Sequence, residues 1–250
     1  MSRYGDPMTA NATATFVFVH GAFHGGWCWT RVSRELRSAG HLTFSPSQTG
    51  LADRRHLLSA DITIDTFVSD IENLVESEEL DDVVLVAHSL GGRTAAGVAD
   101  RIPERLAHLV FLDAVIPAPG VPAPETLSEI QREARLRLAL DFDGGLSIPP
   151  PPAQVFGLED PADIAWVERR MTPQPLSVER SSLTLRHDVG NGVPVTFLHC
   201  LAPRLPIIDA SAAYALSRPD WTYTPLDCGH SAMVSDPHLV VAELLAIACP

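Results

Sequence analysis

The chain of 250 residues holds little cysteine, no long apolar stretch and a shortage of positive charge. Cys28, Cys200, Cys228 and Cys249 lie far apart without a CxxC pair, which excludes the usual zinc and redox spacings. Four cysteines in a chain of this length also make no disulfide scaffold. No apolar run approaches the roughly 18 residues of a membrane-spanning helix. Lys and Arg number 18 against 31 Asp and Glu, a formal net charge of −13. That sign repels nucleic acid and anionic lipid, so neither is expected as a partner. The opening MSRYGDPMTANATAT, residues 1–15, has no apolar segment like that of a signal peptide. It reads as a flexible leader, and a cytoplasmic location is the default expectation. No internal repeat is present.

What remains is a chain that is 46% hydrophobic and long enough to bury a sizeable core. FVFV at 16–19, VVLVA at 83–87 and HLVFL at 108–112 are short, continuous apolar runs. Strands buried on both faces of a parallel sheet have this texture. Between them lie helical spacings at 31–39, closed by Gly40, and at 64–78, preceded by Thr63 as a cap; a further strand is expected at 42–45. A small-residue helix is expected over 92–102, ended by Pro103. Alternating strand and helix implies parallel strands joined by right-handed crossovers, an α/β fold with a mostly parallel central sheet flanked by helices.

From about Val115 to Gly192 the pattern changes. Prolines crowd in, Pro149 to Pro152 consecutively, with helical stretches expected at 125–140 and 160–170 and no strong strand. Strands resume at 193–198 and 221–226, and a helix at 237–248 closes the chain. The organisation expected is a core of 16–117 and 191–250 with a helical, Pro-rich cap over 118–190.

The chemistry centres on Ala87-His88-Ser89-Leu90-Gly91. Small residues two before and two after a serine, between strand and helix, suit a sharp elbow that lifts the hydroxyl to the strand's carboxyl end. The Leu90 N–H and the helix dipole would then stabilise developing negative charge. The competing reading, a serine that merely caps the helix, weakens once partners are found. A serine needs a base. His230, in the loop Cys228-Gly229-His230-Ser231 after a late strand, sits where catalytic groups of an open parallel sheet collect. In HGAFHGGWCW, residues 20–29, glycine lets backbone approach a substrate, and the Ala22 N–H is the second candidate donor to an oxyanion. His20 is read as holding that loop. His88 is turned away from Ser89 by the tight turn and is not the base; with Phe23 it is placed among the substrate-binding residues. Trp27, Trp29, Phe156, Trp166 and Met171 are candidates for an apolar pocket, although aromatics more often belong to core. Arg54, Arg55 and His56 offer a carboxylate-binding alternative to a solvated loop.

FVFVHGAFHGGWCW (16–29), TGLADRRHLLS (49–59), VVLVAHSLGG (83–92), LVFLDAVIP (109–117) and CGHSAMVSDP (228–237) together resemble the α/β-hydrolase superfamily. Within it they look like the plant methyl-ester hydrolase and hydroxynitrile lyase branch and its bacterial esterase relatives. The resemblance implies a Ser–His–acid esterase acting on a small to medium apolar or aromatic ester through an acyl-enzyme, with no cofactor and no metal. The lyases of the branch typically carry Thr after the first-strand His and Lys after the catalytic His; Gly21 and Ser231 occupy those places, which favours the esterase. The family's usual acid position, after the strand VTFLHC, aligns with Pro203. Asp113, ending the strand after the nucleophile's helix, is the first substitute, an arrangement similar to that of the haloalkane dehalogenases. Asp209 is the second and Asp227 stands too close to His230 in the chain. An arrangement with another acid or none stays open, as do a lyase or C–C bond-cleaving enzyme of secondary metabolism and a non-catalytic small-molecule receptor. The partner expected is a small-molecule ester, and a homodimer is compatible with the sequence.

Overall fold

The computed structural model describes residues 13–117 and 128–248. Most of the expected leader and the first part of the expected cap, 118–127, fall outside those residues, as does Cys249. Six strands form one sheet: β1 (Thr15–Val19), β2 (Leu42–Phe44), β3 (Val83–His88), β4 (Leu106–Leu112), β7 (Val195–Cys200) and β8 (Trp221–Leu226). Their order is β2-β1-β3-β4-β7-β8, with every neighbouring pair parallel. The chain runs outward from β1 to β2, then returns to place β3 on the other side of β1. The carboxyl ends of β1 and β3 therefore form a topological switch point, where loops leave in opposite directions and open a crevice.

Successive side chains in each strand face opposite sides of the sheet. Val17, Val19, Leu85, Ala87, Leu109 and Phe111 join one buried cluster, and Phe16, Phe18, Val84, Val86, Val110 and Leu112 the other. The first packs against α2 (Ile64–Ser77), α3 (Gly91–Arg101) and α7 (Asp209–Leu216), the second against α1 (Thr30–Ser38) and α9 (Pro237–Ala248). Each such Val, Leu or Phe contributes about 1.5–3 kcal/mol on full burial. Gly40 ends α1 at φ +94, a conformation that favours glycine, and lets the His41 N–H bond the Leu36 carbonyl. At the start of α2 the Thr66 hydroxyl accepts the Thr63 N–H at 3.1 Å, so the cap expected at Thr63 is closed from the helix side.

Between β4 and β7 lie α4 (Glu129–Asp143), α5 (Pro161–Glu168) and α6 (Leu176–Arg180). They are accompanied by an antiparallel pairing of β5 (Ser147–Ile148) with β6 (Gln174–Pro175). No strong strand was expected here; runs of two residues are too short to write a period into the sequence. A short α8 (Ala232–Ser235) follows β8. No described helix is long and apolar enough to cross a membrane.

Candidate active site

Ser89 adopts φ +54, outside the regions comfortable for a residue with a side chain. The elbow is held from both sides: the Ser89 carbonyl accepts the Gly92 N–H at 3.1 Å and the Val115 N–H at 2.8 Å. Close approach explains the small residues. A Cβ on Gly91 would lie 2.7 Å from the His20 carbonyl oxygen and 2.9 Å from that of Val19, and one on Gly21 would lie 2.7 Å from Cβ of Ser89. Gly91→Ala should therefore lower unfolding free energy by about 1–3 kcal/mol, because its obstacles are backbone atoms that cannot swing away. Denaturant titration checks this; an unchanged midpoint would mean that the elbow has room to spare.

Asp113 follows β4 directly at φ +44 and is completely buried. Its Oδ2 lies 2.6 Å from Nδ1 of His230, and its Oδ1 accepts the Cys200 N–H at 3.1 Å. His230 is 1% exposed. With Nδ1 engaged, Nε2 is the ring nitrogen left for other partners. The insertion helps to seat it. The Ser231 N–H donates to the Phe156 carbonyl at 3.0 Å, and the Phe156 ring stacks on the imidazole with centroids 6.2 Å apart. Asp209 points elsewhere, toward Arg204 at 3.4 Å. His199 also approaches Asp113, its Nε2 4.0 Å from Oδ1, but its Nδ1 pairs with the Tyr223 hydroxyl at 2.6 Å.

The loop after β1 is pinned by two neutral imidazoles. Nδ1 of His20 donates to the Gly21 carbonyl at 2.9 Å while its Nε2 accepts the Gln48 N–H at 3.0 Å. One donor and one acceptor on the same ring require the neutral form. Nδ1 of His24 donates to the Ala22 carbonyl at 2.7 Å, fixing the peptide next to the candidate oxyanion donor. Burial lowers the pKa of both rings to about 4. Phe23 follows at φ +65, its N–H held by Oε1 of Gln174 at 3.1 Å.

Ser89 and His230 open into one cavity of about 610 Å³, which Ala22, Leu90 and Phe23 also line. His88 does not line it, so its expected substrate contact is corrected. Its ring is buried behind His230, centroids 4.4 Å apart, and its Nε2 donates to the His230 carbonyl at 2.8 Å. Burial holds this ring well below the usual imidazole pKa. Of the apolar-pocket candidates, Phe156 lines the cavity but Trp27, Trp29, Trp166 and Met171 do not. Trp29 is core, stacked on Phe18 at 4.6 Å, and Trp27 packs edge-on to Trp166 at 5.1 Å. Arg54 is bound to Asp70 at 2.8 Å, away from the cavity. The apolar lining comes instead from residues such as Val115, Ile116, Ile148 and Leu205. Arg93 also lines it and was not anticipated; the signal was a lone charge in the small-residue stretch GGRTAAGVA. Among the described residues no cluster of His, Cys, Asp and Glu suits a metal ion.

Comparison with known proteins agrees with this fold. The sequence model of the alpha/beta hydrolase family matches residues 16–244. A carbendazim hydrolyzing esterase of Nocardioides sp. (strain SG-4G) is 35% identical over 249 residues, covering 94% of this chain and 99% of its own length. Methyl jasmonate esterase 1 of Vitis vinifera is 31% identical over 177 residues, 64% of this chain and 67% of its own. A solved extracellular alpha/beta-hydrolase from a Paenibacillus species has a TM-score of 0.81 at 18% identity, covering 95% of this chain and all of that one, a likeness of fold.

Proposed function

Because the chain belongs to the α/β-hydrolase family, we propose that it hydrolyses carboxylic esters with Ser89 as nucleophile, His230 as base and Asp113 as the acid. The observation that carries this reading is the 2.6 Å bond from Asp113 to His230, beside a serine on a positive-φ elbow that opens into the same cavity. Nε2 of His230 takes the Ser89 proton as Oγ attacks the ester carbonyl. The backbone N–H groups of Ala22 and Leu90 receive the oxyanion, aided by the N-terminus of α3. The imidazolium, stabilised by Asp113, returns the proton to the departing alcohol. Water then adds to the acyl-serine by the same route and releases the acid. The apolar lining and a volume of about 610 Å³ suit a small to medium apolar or aromatic ester. Gly21 has no room for a threonine side chain against Ser89, and buried Ser231 supplies no cation, which supports hydrolysis over cyanide-releasing chemistry.

Mixing the protein with p-nitrophenyl acetate and quenching in acid should leave one acetyl group on the peptide containing Ser89, read by mass spectrometry. Ser89→Ala should carry none and lose roughly 10⁵-fold or more in kcat. Turnover without acylation at Ser89, or an active Ser89→Ala protein, would overturn the proposal.

A further inference from the structure

Arg93 is a buried cation that acyl transfer does not use. It stands four residues beyond Ser89 in the first turn of α3 and is 2% exposed. Two features make the site unfavourable for a positive charge. Burial lowers its pKa to about 10. The N-terminal end of a helix repels cations. The neighbouring carboxylate, Glu179, favours the charge, but its hydrogen bond goes to Arg135. The Arg93 guanidinium donates through Nη2 to the Ser181 carbonyl at 2.7 Å and through Nη1 to the Val178 carbonyl at 3.4 Å, while its Nε has no partner among the described residues. Those carbonyls close α6, so part of its work is to tie the insertion to the core. That role does not compensate its charge.

Arg93, Arg135 and Glu179 all line the cavity that holds Ser89, giving this wall two cations against one anion. The rim contrasts with it: Leu138, Val155 and Ile207 also line the cavity and are 53%, 52% and 46% exposed. We infer that the buried wall around Arg93 is a carboxylate-recognition site, so that the preferred ester carries a free carboxylate on its acyl side and an apolar alcohol toward the rim. This rests on the hydrolase reading of the same cavity. The polarity follows from the order of release: the alcohol leaves first through the rim, whereas the acyl part stays attached to Ser89. Arg93 lines the same cavity as Ser89 from the first turn of the helix that follows the elbow. A carboxylate there would balance the second cation of this wall, which Glu179, bonded to Arg135, does not, through charge-assisted hydrogen bonds.

The test compares p-nitrophenyl hemiglutarate with p-nitrophenyl pentanoate, matched in length and differing in charge. The wild type should favour the hemiglutarate by about 10-fold or more in kcat/KM. Arg93→Met should abolish that preference, read as the ratio of the two esters' kcat/KM within the variant itself, and Arg93→Lys should keep part of it. Calorimetric binding of glutarate to Ser89→Ala gives a readout free of turnover and of Arg93 folding effects: glutarate should bind. Equal use of both esters, equal losses on both in Arg93→Met, or no glutarate binding would overturn the carboxylate site. Normal Ser89 acylation with any of those results leaves the hydrolase standing. Glutarate binding without acylation of Ser89 would instead sink the hydrolase alone.

Discussion

Asp113→Asn should lower kcat on p-nitrophenyl acetate by roughly 10⁴-fold, the loss expected when a Ser–His pair is deprived of its carboxylate. The amide keeps the side chain's size and can still accept the Cys200 N–H now bonded at 3.1 Å. It cannot stabilise an imidazolium, and its NH₂ group can hold the ring in the wrong tautomer. Asp209→Asn should leave kcat within about 2-fold, because that carboxylate faces Arg204 at a side chain 41% exposed. Steady-state kinetics on both variants decide the matter. Full activity in Asp113→Asn with loss in Asp209→Asn would reverse the assignment.

Acid should unfold this protein earlier than its carboxylates alone require. His20 and His24 are held at about 4, against an ordinary imidazole value of 6.5. Between those values the unfolded chain binds protons that the folded chain does not, so stability is complete above pH 6.5 and falls as pH drops toward 4. The loss is about 3 kcal/mol per ring over the whole window, an upper figure because water entry softens it. His88 acts in the same direction. Protonating these rings adds cations beneath the loop that carries Gly21 and Ala22, so esterase activity should fall with the fold. Urea titrations at pH 7 and pH 4.5 measure the effect. Equal unfolding free energies at the two values would contradict the neutral, buried state of the three rings.

Much of this was legible before any coordinates. FVFV and VVLVA read as strands because a parallel sheet covers them on both faces, and the elbow read as one because only small residues fit beside it. Asp113 was visible as a strand-end carboxylate, but Asp209 competed with it; choosing needs the neighbouring strand β7, whose Cys200 N–H and adjoining β8 loop converge on one side chain. His88 was misplaced because a turn residue next to a nucleophile looks functional, and nothing local shows that His230 covers it. Trp29 went to the core, where large aromatic area is best buried, and Trp27 and Trp166 pair with each other half-buried at its edge. The grip of Phe156 on the Ser231 N–H crosses from insertion to core, a contact that no local pattern encodes.

Ser89, His230 and Asp113 should act as one unit. The direct measurement is the rate at which a fluorophosphonate labels Ser89, followed by intact mass in wild type, Asp113→Asn, His230→Ala and the double variant. Each single change should slow labelling by about 10³-fold or more, and the double variant should be no slower than His230→Ala, because Asp113 acts only through that ring. Labelling of Asp113→Asn at the wild-type rate, or a double variant slowed by the product of the two single effects, would contradict the account.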